Sequence, residues 1–123
     1  MNADELMIGD LVTVTTPDGS RKTKAWGRRE NISIYPAIEP IEITGEFLEE
    51  NGFRLVKDCT SRWSRDIGRK TVYVTKPEGE GSVDIAFPTL HGFRRVVSDL
   101  PITYVHQLQQ ICRICRININ WKS

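Results

Sequence analysis

Residues 102–115 read ITYVHQLQQICRIC, and their apolar side chains recur at spacings of three and four. This period is typical of an α-helix with one apolar side, because residues three and four apart share a face. Thr103 is placed to cap the first turn. The helix is predicted to carry an apolar stripe formed by Tyr104, Val105, Leu108, Ile111, Cys112 and Cys115. Its polar residues are expected mostly off that stripe, at Gln107, Gln109, Gln110 and Arg113.

The segment before this helix predicts strands that need an apolar cover. Residues 53–57, 70–76 and 93–97 have the composition of strands. Apolar side chains at 83, 85 and 87 alternate with other types, which indicates a strand with one face in water. These four strands predict an antiparallel meander, with the helix packed on its apolar face. The tail at 117–121 also alternates and is compatible with a further short strand.

The beginning of the chain predicts a β-hairpin. Residues 11–15 read LVTVT, and Pro17-Asp18-Gly19 supplies a turn before a return strand at 23–26. The Gly9-Asp10 pair ahead of the first strand resembles the opening of small SH3-like barrels. An SH3-like hairpin region is therefore expected at the N-terminus.

A short strand and a short helix are predicted between the hairpin and the meander. The strand covers residues 38–43. Because proline cannot donate to a ladder, Pro40 indicates that this strand lies at a sheet edge or begins at that residue. Thr44 is a suitable N-cap, and Asn51-Gly52 ends the helix. The predicted fold class is α+β, in a single domain of residues 1–123.

Charge composition excludes a strong overall attraction to polyanions. The chain has 17 basic and 16 acidic residues and a net charge of +1, so binding to nucleic acid requires a local patch. The N-terminus lacks the apolar core of a signal peptide, and no run is long enough to span a bilayer. A cytoplasmic location without a membrane partner is expected.

The three cysteines do not form a secreted disulfide framework, since their number is odd. Cys112 and Cys115 could share a metal or form a redox pair, but their positions on the stripe favour a role in the core. Cys59 could pair with His91 or His106 as nucleophile and base, yet no spacing selects such a pair. No catalytic residue, metal site or cofactor is predicted.

Two basic segments interleave cations with tryptophan, a pattern that can contact a phosphate backbone and stack on a base. Solvated surface charge is the alternative interpretation. The first segment, 21–29, contains Arg21, Lys22, Lys24, Trp26, Arg28 and Arg29. The second segment, 62–70, contains Arg62, Trp63, Arg65, Arg69 and Lys70.

An acidic segment, residues 39–50, contains five carboxylates and no basic residue. Such a surface could meet a basic patch on the same chain, on another copy or on a partner protein. Its members are Glu39, Glu42, Glu46, Glu49 and Glu50.

Three segments, 7–12, 38–53 and 102–109, resemble in their order a family of small uncharacterised proteins encoded in Bacteroidales genomes, prophages and mobile elements. They cover about a quarter of the chain. Residues 112–117, CRICRI, depart from the family pattern, which has an aromatic-rich run there. The resemblance implies an accessory role in a phage or mobile element, and it implies no catalytic residue.

Three functions remain open on the sequence. The first is a non-enzymatic binding protein of phage or mobile-element origin that modulates a host or phage protein. The second is a nucleic-acid-binding accessory domain that uses the two basic segments. The third is a small-ligand binder, with a nucleotide held between meander and helix. An unknown protein is the expected partner.

Overall fold

A computed structural model describes residues 5–27, 37–76, 80–88 and 94–122. The first sheet has three antiparallel strands in the spatial order β2-β1-β3. These strands are β1 (Leu11–Thr15), β2 (Arg21–Ala25) and β3 (Ala37–Pro40). β3 lies at an edge, as predicted, but it ends at Pro40, whereas the predicted strand continued to residue 43.

The second sheet is an antiparallel meander whose five strands follow one another in space as in sequence. They are β4 (Arg54–Leu55), β5 (Arg62–Ile67), β6 (Lys70–Thr75), β7 (Gly81–Pro88) and β8 (Arg94–Ile102). Helix α1 (Gly45–Glu50) precedes this sheet and helix α2 (Val105–Ile114) follows it. The predicted α+β class, with a short helix, a meander and a C-terminal helix, is confirmed.

The first strands of the meander differ from the sequence prediction. The predicted strand at 53–57 is reduced to the two residues of β4, while β5 was not predicted as a strand. In β5, Trp63 and Ile67 pack against the core, and Arg65 lies between them opposite Val72 of β6. Because an arginine interrupts the inward-facing positions, the apolar alternation of β5 is not visible in the sequence.

The main core lies between the meander and α2. Val72, Val74, Val83 and Ile85 are fully buried in one cluster with Leu108 of α2. The cluster also contains Phe47 and Leu48 of α1, whose N-cap is Thr44, since its Oγ1 accepts from Phe47 N at 3.1 Å. The apolar stripe thus packs where the sequence predicts it.

A second, smaller core lies against the other side of β1. Leu11 belongs to the main core, whereas Val12 and Val14 belong to a cluster with Trp26 and Ile38. Successive side chains of a strand point to opposite faces, so β1 links the two cores through its alternation.

The start of α2 differs by one residue from the prediction. Tyr104, and not Thr103, is the N-cap residue. A residue of the helix itself caps the first turn, because the Gln107 side chain folds back towards the backbone of Thr103 and Tyr104. Its Oε1 accepts from Thr103 N at 2.7 Å and from Tyr104 N at 3.0 Å. Gln107 is the N3 residue, and its contact with the N-cap backbone is the half of a capping box that the N3 side chain supplies.

Three polar residues of α2 lie off the apolar stripe, as predicted, and they contact the N-terminal segment of the chain. Gln109 is only 1% exposed. Its Oε1 accepts from Leu11 N at 2.8 Å, and its Nε2 donates to Gly9 O at 3.1 Å. Arg113 Nη2 and Gln110 Nε2 donate to the buried carboxylate of Asp10 at 2.6 Å and 2.8 Å. The helix therefore packs between the meander and the N-terminal segment.

The alternating tail at 117–121 forms no strand. Its apolar residues pack against the main core, and the Trp121 ring stacks on Phe47 at a centroid distance of 6.1 Å. The next residue, Lys122, exchanges two hydrogen bonds with the Asn51 side chain. The alternation thus separates core-facing from exposed positions in an extended segment that lies outside the sheet ladders.

Candidate functional site

The first basic segment lies on β2 and just after it. Arg21 and Lys22 are exposed, and Arg21 forms an ion pair with Glu39 of β3. Trp26 is only 7% exposed and belongs to the second core, so its indole offers no open face for stacking on a base. Lys24 is half-buried. Arg28 and Arg29 lie outside the described residues.

The second basic segment is divided between the two faces of the meander. Arg62 lies on the outer face, where Nη1 donates to Asp84 Oδ2 at 3.2 Å and to Thr75 Oγ1 at 3.0 Å. Its guanidinium also stands 4.6 Å from the centre of the Tyr73 ring. Arg65 points to the inner face and donates to the Asn51 carbonyl at 2.5 Å. Both arginines therefore have partners within the fold.

Trp63 contacts α1 and does not stand clear of the surface. A Cβ placed on Gly45 would lie 2.7 Å from the indole Cζ2, which is closer than carbon atoms approach. Gly45 is therefore required for this close contact between the helix and β5. The half-buried Trp63 has a structural role at the α1–sheet contact.

Arg69 and Lys70 lie at the turn from β5 to β6. They line a pocket together with a third cation, Arg116, which the sequence did not indicate as a site residue. Arg116 follows the end of α2 and lines the same pocket, of about 350 Å3. We call this the basic pocket; its lining includes Arg69, Lys70, Arg116, Ile67, Phe87 and Ile117. The available sequence signal was an arginine two residues beyond the last residue of α2, at a position where glycine or asparagine is usual.

The five glutamates of the acidic segment are all exposed. Glu46, Glu49 and Glu50 belong to α1, and their spacings of three and four place them on one side of that helix. Glu42 forms an isolated β-bridge with Tyr104 through its backbone. Among the described residues only Glu39 of these five forms an ion pair.

Cys112 is a core residue, as the stripe predicted. Its burial raises the pKa of the thiol to about 12, so the thiol stays protonated near neutral pH. Cys115 is partly buried against the same cluster. Within the described ranges, no group of three or more His, Cys, Asp or Glu side chains is placed to hold a metal ion.

His106 is 4% exposed, and its ring stacks on Tyr104 at a centroid distance of 5.9 Å. Burial lowers the pKa of His106 below its ordinary value, while the charges of Asp10 and Glu5 partly oppose this shift. Its Nδ1 has no hydrogen-bond partner in the part of the chain that the structure describes. His91, the other predicted candidate base, lies outside that part.

No helix of the described residues has the length and apolar character needed to cross a membrane. Comparison of the chain with family models, curated proteins and solved structures finds no match. The resemblance to the Bacteroidales family therefore stays a prediction.

Proposed function

We propose that this chain is a small non-enzymatic interaction protein, of phage or mobile-element origin, that binds a basic surface of a host or phage protein. The binding surface is the acidic segment. The proposal rests on the exposure and the missing ion pairs of the glutamate side chains. All five glutamates are exposed, and four of them form no ion pair among the described residues.

The basic segments contrast with the acidic segment. Arg21, Arg62, Arg65 and Lys70 each contact a carboxylate or a carbonyl oxygen of the same chain. A cation that already has such a partner must lose it, or share it, before it can contact a phosphate. Nucleic-acid binding through segments 21–29 and 62–70 therefore has less support than protein binding through the glutamates.

Exposed glutamates act mainly on the rate and selectivity of association. Charges at the rim of an interface attract a partner of opposite sign and repel one of the same sign. Their effect is screened by salt, because the Debye length falls from about 10 Å at 0.1 M to about 3 Å at 1 M. Binding is accordingly expected to weaken as salt is raised.

The test is affinity capture from a Bacteroidales lysate with the immobilised chain, at low and at high salt. The double variant Glu49→Gln/Glu50→Gln removes two charges from α1 and leaves the buried Phe47 and Leu48 unchanged. We expect the wild type to retain a basic protein at low salt, and the variant to retain much less of it.

The matched control is Asp58→Asn/Glu80→Gln, which removes the same charge at exposed positions outside the acidic segment. It should capture the same protein as the wild type. Equal capture by both double variants, or no protein retained above background, would refute binding through the acidic segment.

A further inference from the structure

The basic pocket is lined by both cationic and apolar side chains. It lies where the β5–β6 turn, the end of β7 and the segment after α2 meet. Ile67, Phe87 and Ile117 supply apolar surface, while Arg69, Lys70 and Arg116 supply positive charge. Its volume of about 350 Å3 falls in the range of pockets that hold small organic molecules.

The cations of this pocket are only partly engaged by the protein. Lys70 Nζ donates one hydrogen bond, to Cys115 O at 2.7 Å, and an ammonium has three donors. Arg69 and Arg116 are exposed, and neither forms an ion pair among the described residues. No carboxylate is present among the described residues that line the pocket. Donors therefore remain for an anion that enters it.

Arg116 has a backbone conformation that favours glycine. Its φ of 57° lies in the left-handed region. The hydrogen bonds from Arg116 N to Arg113 O (3.0 Å) and from Ile117 N to Cys112 O (2.8 Å) close the helix in the manner of a Schellman motif. A side chain at this position costs stability that glycine would not cost. The strained residue contributes a cation to the pocket, which points to a role in binding.

We propose that the basic pocket binds a small organic anion, in which a phosphate or carboxylate is attached to an apolar group of the size of a benzene ring. The anionic group contacts Arg69, Lys70 and Arg116, and the apolar group lies against Ile67, Phe87 and Ile117. Charge-assisted hydrogen bonds from the guanidinium groups hold the anion. None of these residues belongs to the acidic segment, so this site is independent of the proposed protein interaction.

The direct test is titration of the full chain with phenyl phosphate and with phenylacetate, followed by amide chemical shifts in NMR spectra. We expect saturable shifts at Lys70 and Ile117, and the two ligands distinguish phosphate from carboxylate. Inorganic phosphate and benzyl alcohol, which carry only one half of the proposed chemistry, should bind at least about tenfold more weakly. Equal binding of inorganic phosphate would reduce the site to a non-selective cation patch and overturn the proposal.

Arg116→Gly separates binding from folding. We expect this variant to melt a few degrees higher than the wild type, because the strain at residue 116 is relieved. It should bind phenyl phosphate about tenfold more weakly, since one of three cations is lost. Arg116→Lys keeps the charge and should retain most of the affinity. The control Arg54→Gln removes an exposed arginine that does not line the pocket, and it should bind as the wild type does.

Two results would contradict the inference. The first is unchanged affinity of Arg116→Gly for phenyl phosphate. The second is tighter binding of a short oligothymidylate that is lost in the same variant, which would assign these cations to a nucleic-acid backbone. The variant Glu49→Gln/Glu50→Gln should bind phenyl phosphate normally, so failure of one proposal does not imply failure of the other.

Discussion

The two sides of α2 are held by different kinds of contact. Its apolar side meets the valines and isoleucines of the meander, in a cluster whose central members are fully buried. Its polar side meets residues 5–11 through hydrogen bonds of Gln109, Gln110 and Arg113. Apolar packing is non-directional, whereas hydrogen bonds fix distance and angle. The first contact therefore contributes most of the stability, and the second sets how the N-terminal sheet is placed on the helix.

Asp10 is the centre of the polar contact. Its buried carboxylate accepts from Met7 N at 2.8 Å as well as from Gln110 and Arg113. A buried carboxylate costs little only when its oxygens have partners, and here they come from both the N-terminal turn and α2. The difference between the two sides of the helix can be tested one residue at a time.

The largest effect is expected on the apolar side, for Leu108→Ala. Leu108 is fully buried in the main core, and its truncation leaves a cavity beneath the meander. Loss of about 2–5 kcal/mol in the free energy of unfolding is expected. Urea denaturation measures it. The matched control is Ile114→Ala on the same helix, because Ile114 is 77% exposed and its truncation should change stability by less than about 0.5 kcal/mol.

On the polar side, Gln109→Leu should cost less. The substitution keeps a similar volume but leaves Leu11 N without its acceptor and Gly9 O without its donor. About 1–3 kcal/mol is expected for the unpaired groups. Asn118→Leu, at an exposed position, controls for the general effect of an apolar replacement. If Gln109→Leu is as stable as the wild type, the hydrogen bonds position the sheet without stabilising it.

A pH-dependent effect is expected at His106. Since its folded pKa is lowered from 6.5, the unfolded chain takes up a proton at pH values where the folded chain does not. Stability should be full above pH 6.5 and fall as the pH is lowered through that value. His106→Gln should flatten this slope in urea titrations between neutral and mildly acid pH.

His91 is present in both the wild type and the His106→Gln variant. Any difference in slope between the two therefore comes from residue 106. Asp18 does not interfere, since hydrogen bonds from Thr16 and Ser20 lower its pKa to about 2. Its contribution is present above the ordinary value of 3.8 and is lost only as the pH falls towards 2. An identical slope in wild type and variant would show that His106 does not cause the pH dependence.

The smallest effect is expected for the ion pair between Arg21 and Glu39. Both side chains are more than half exposed, so water and salt screen their attraction. Arg21→Gln should lower the free energy of unfolding by less than about 0.5 kcal/mol, and thermal melts at low and high salt should differ little from those of the wild type. A loss above 1 kcal/mol would mean that the outer side of the N-terminal sheet stabilises the fold more than its exposure indicates.

The fold could be predicted where the spacing of apolar residues reflects burial against one neighbouring surface, or where a single local contact defines the end of a helix. The stripe of α2 and the alternation of β7 follow from burial on a single side. The cap at Thr44 follows from a local hydrogen bond with Phe47 N. Prediction failed where a residue contacts a part of the chain that is distant in sequence. Gln109 lies off the predicted apolar stripe, yet it is buried because the N-terminal segment covers it, and this partner is about 100 residues away in sequence.

For the candidate site, the sequence predicted which residue types are involved but not how they are arranged in space. The acidic segment was recognised because exposed glutamates need no partner, and all five are exposed. The basic segments were harder to interpret, because the alternation of β5 sends Arg62 and Arg65 to opposite faces of the sheet. Arg116 was missed since it joins Arg69 and Lys70 only after the chain has turned at the end of α2.

The open edge of β2 has a consequence for how copies of this chain behave towards one another. Within the described ranges β2 pairs only with β1, so its other side presents backbone groups that could recruit a strand from a neighbouring molecule. Its sequence, RKTKA, places three cations along five residues. Repulsion between like-charged edges opposes such pairing and protects the chain against aggregation through this strand.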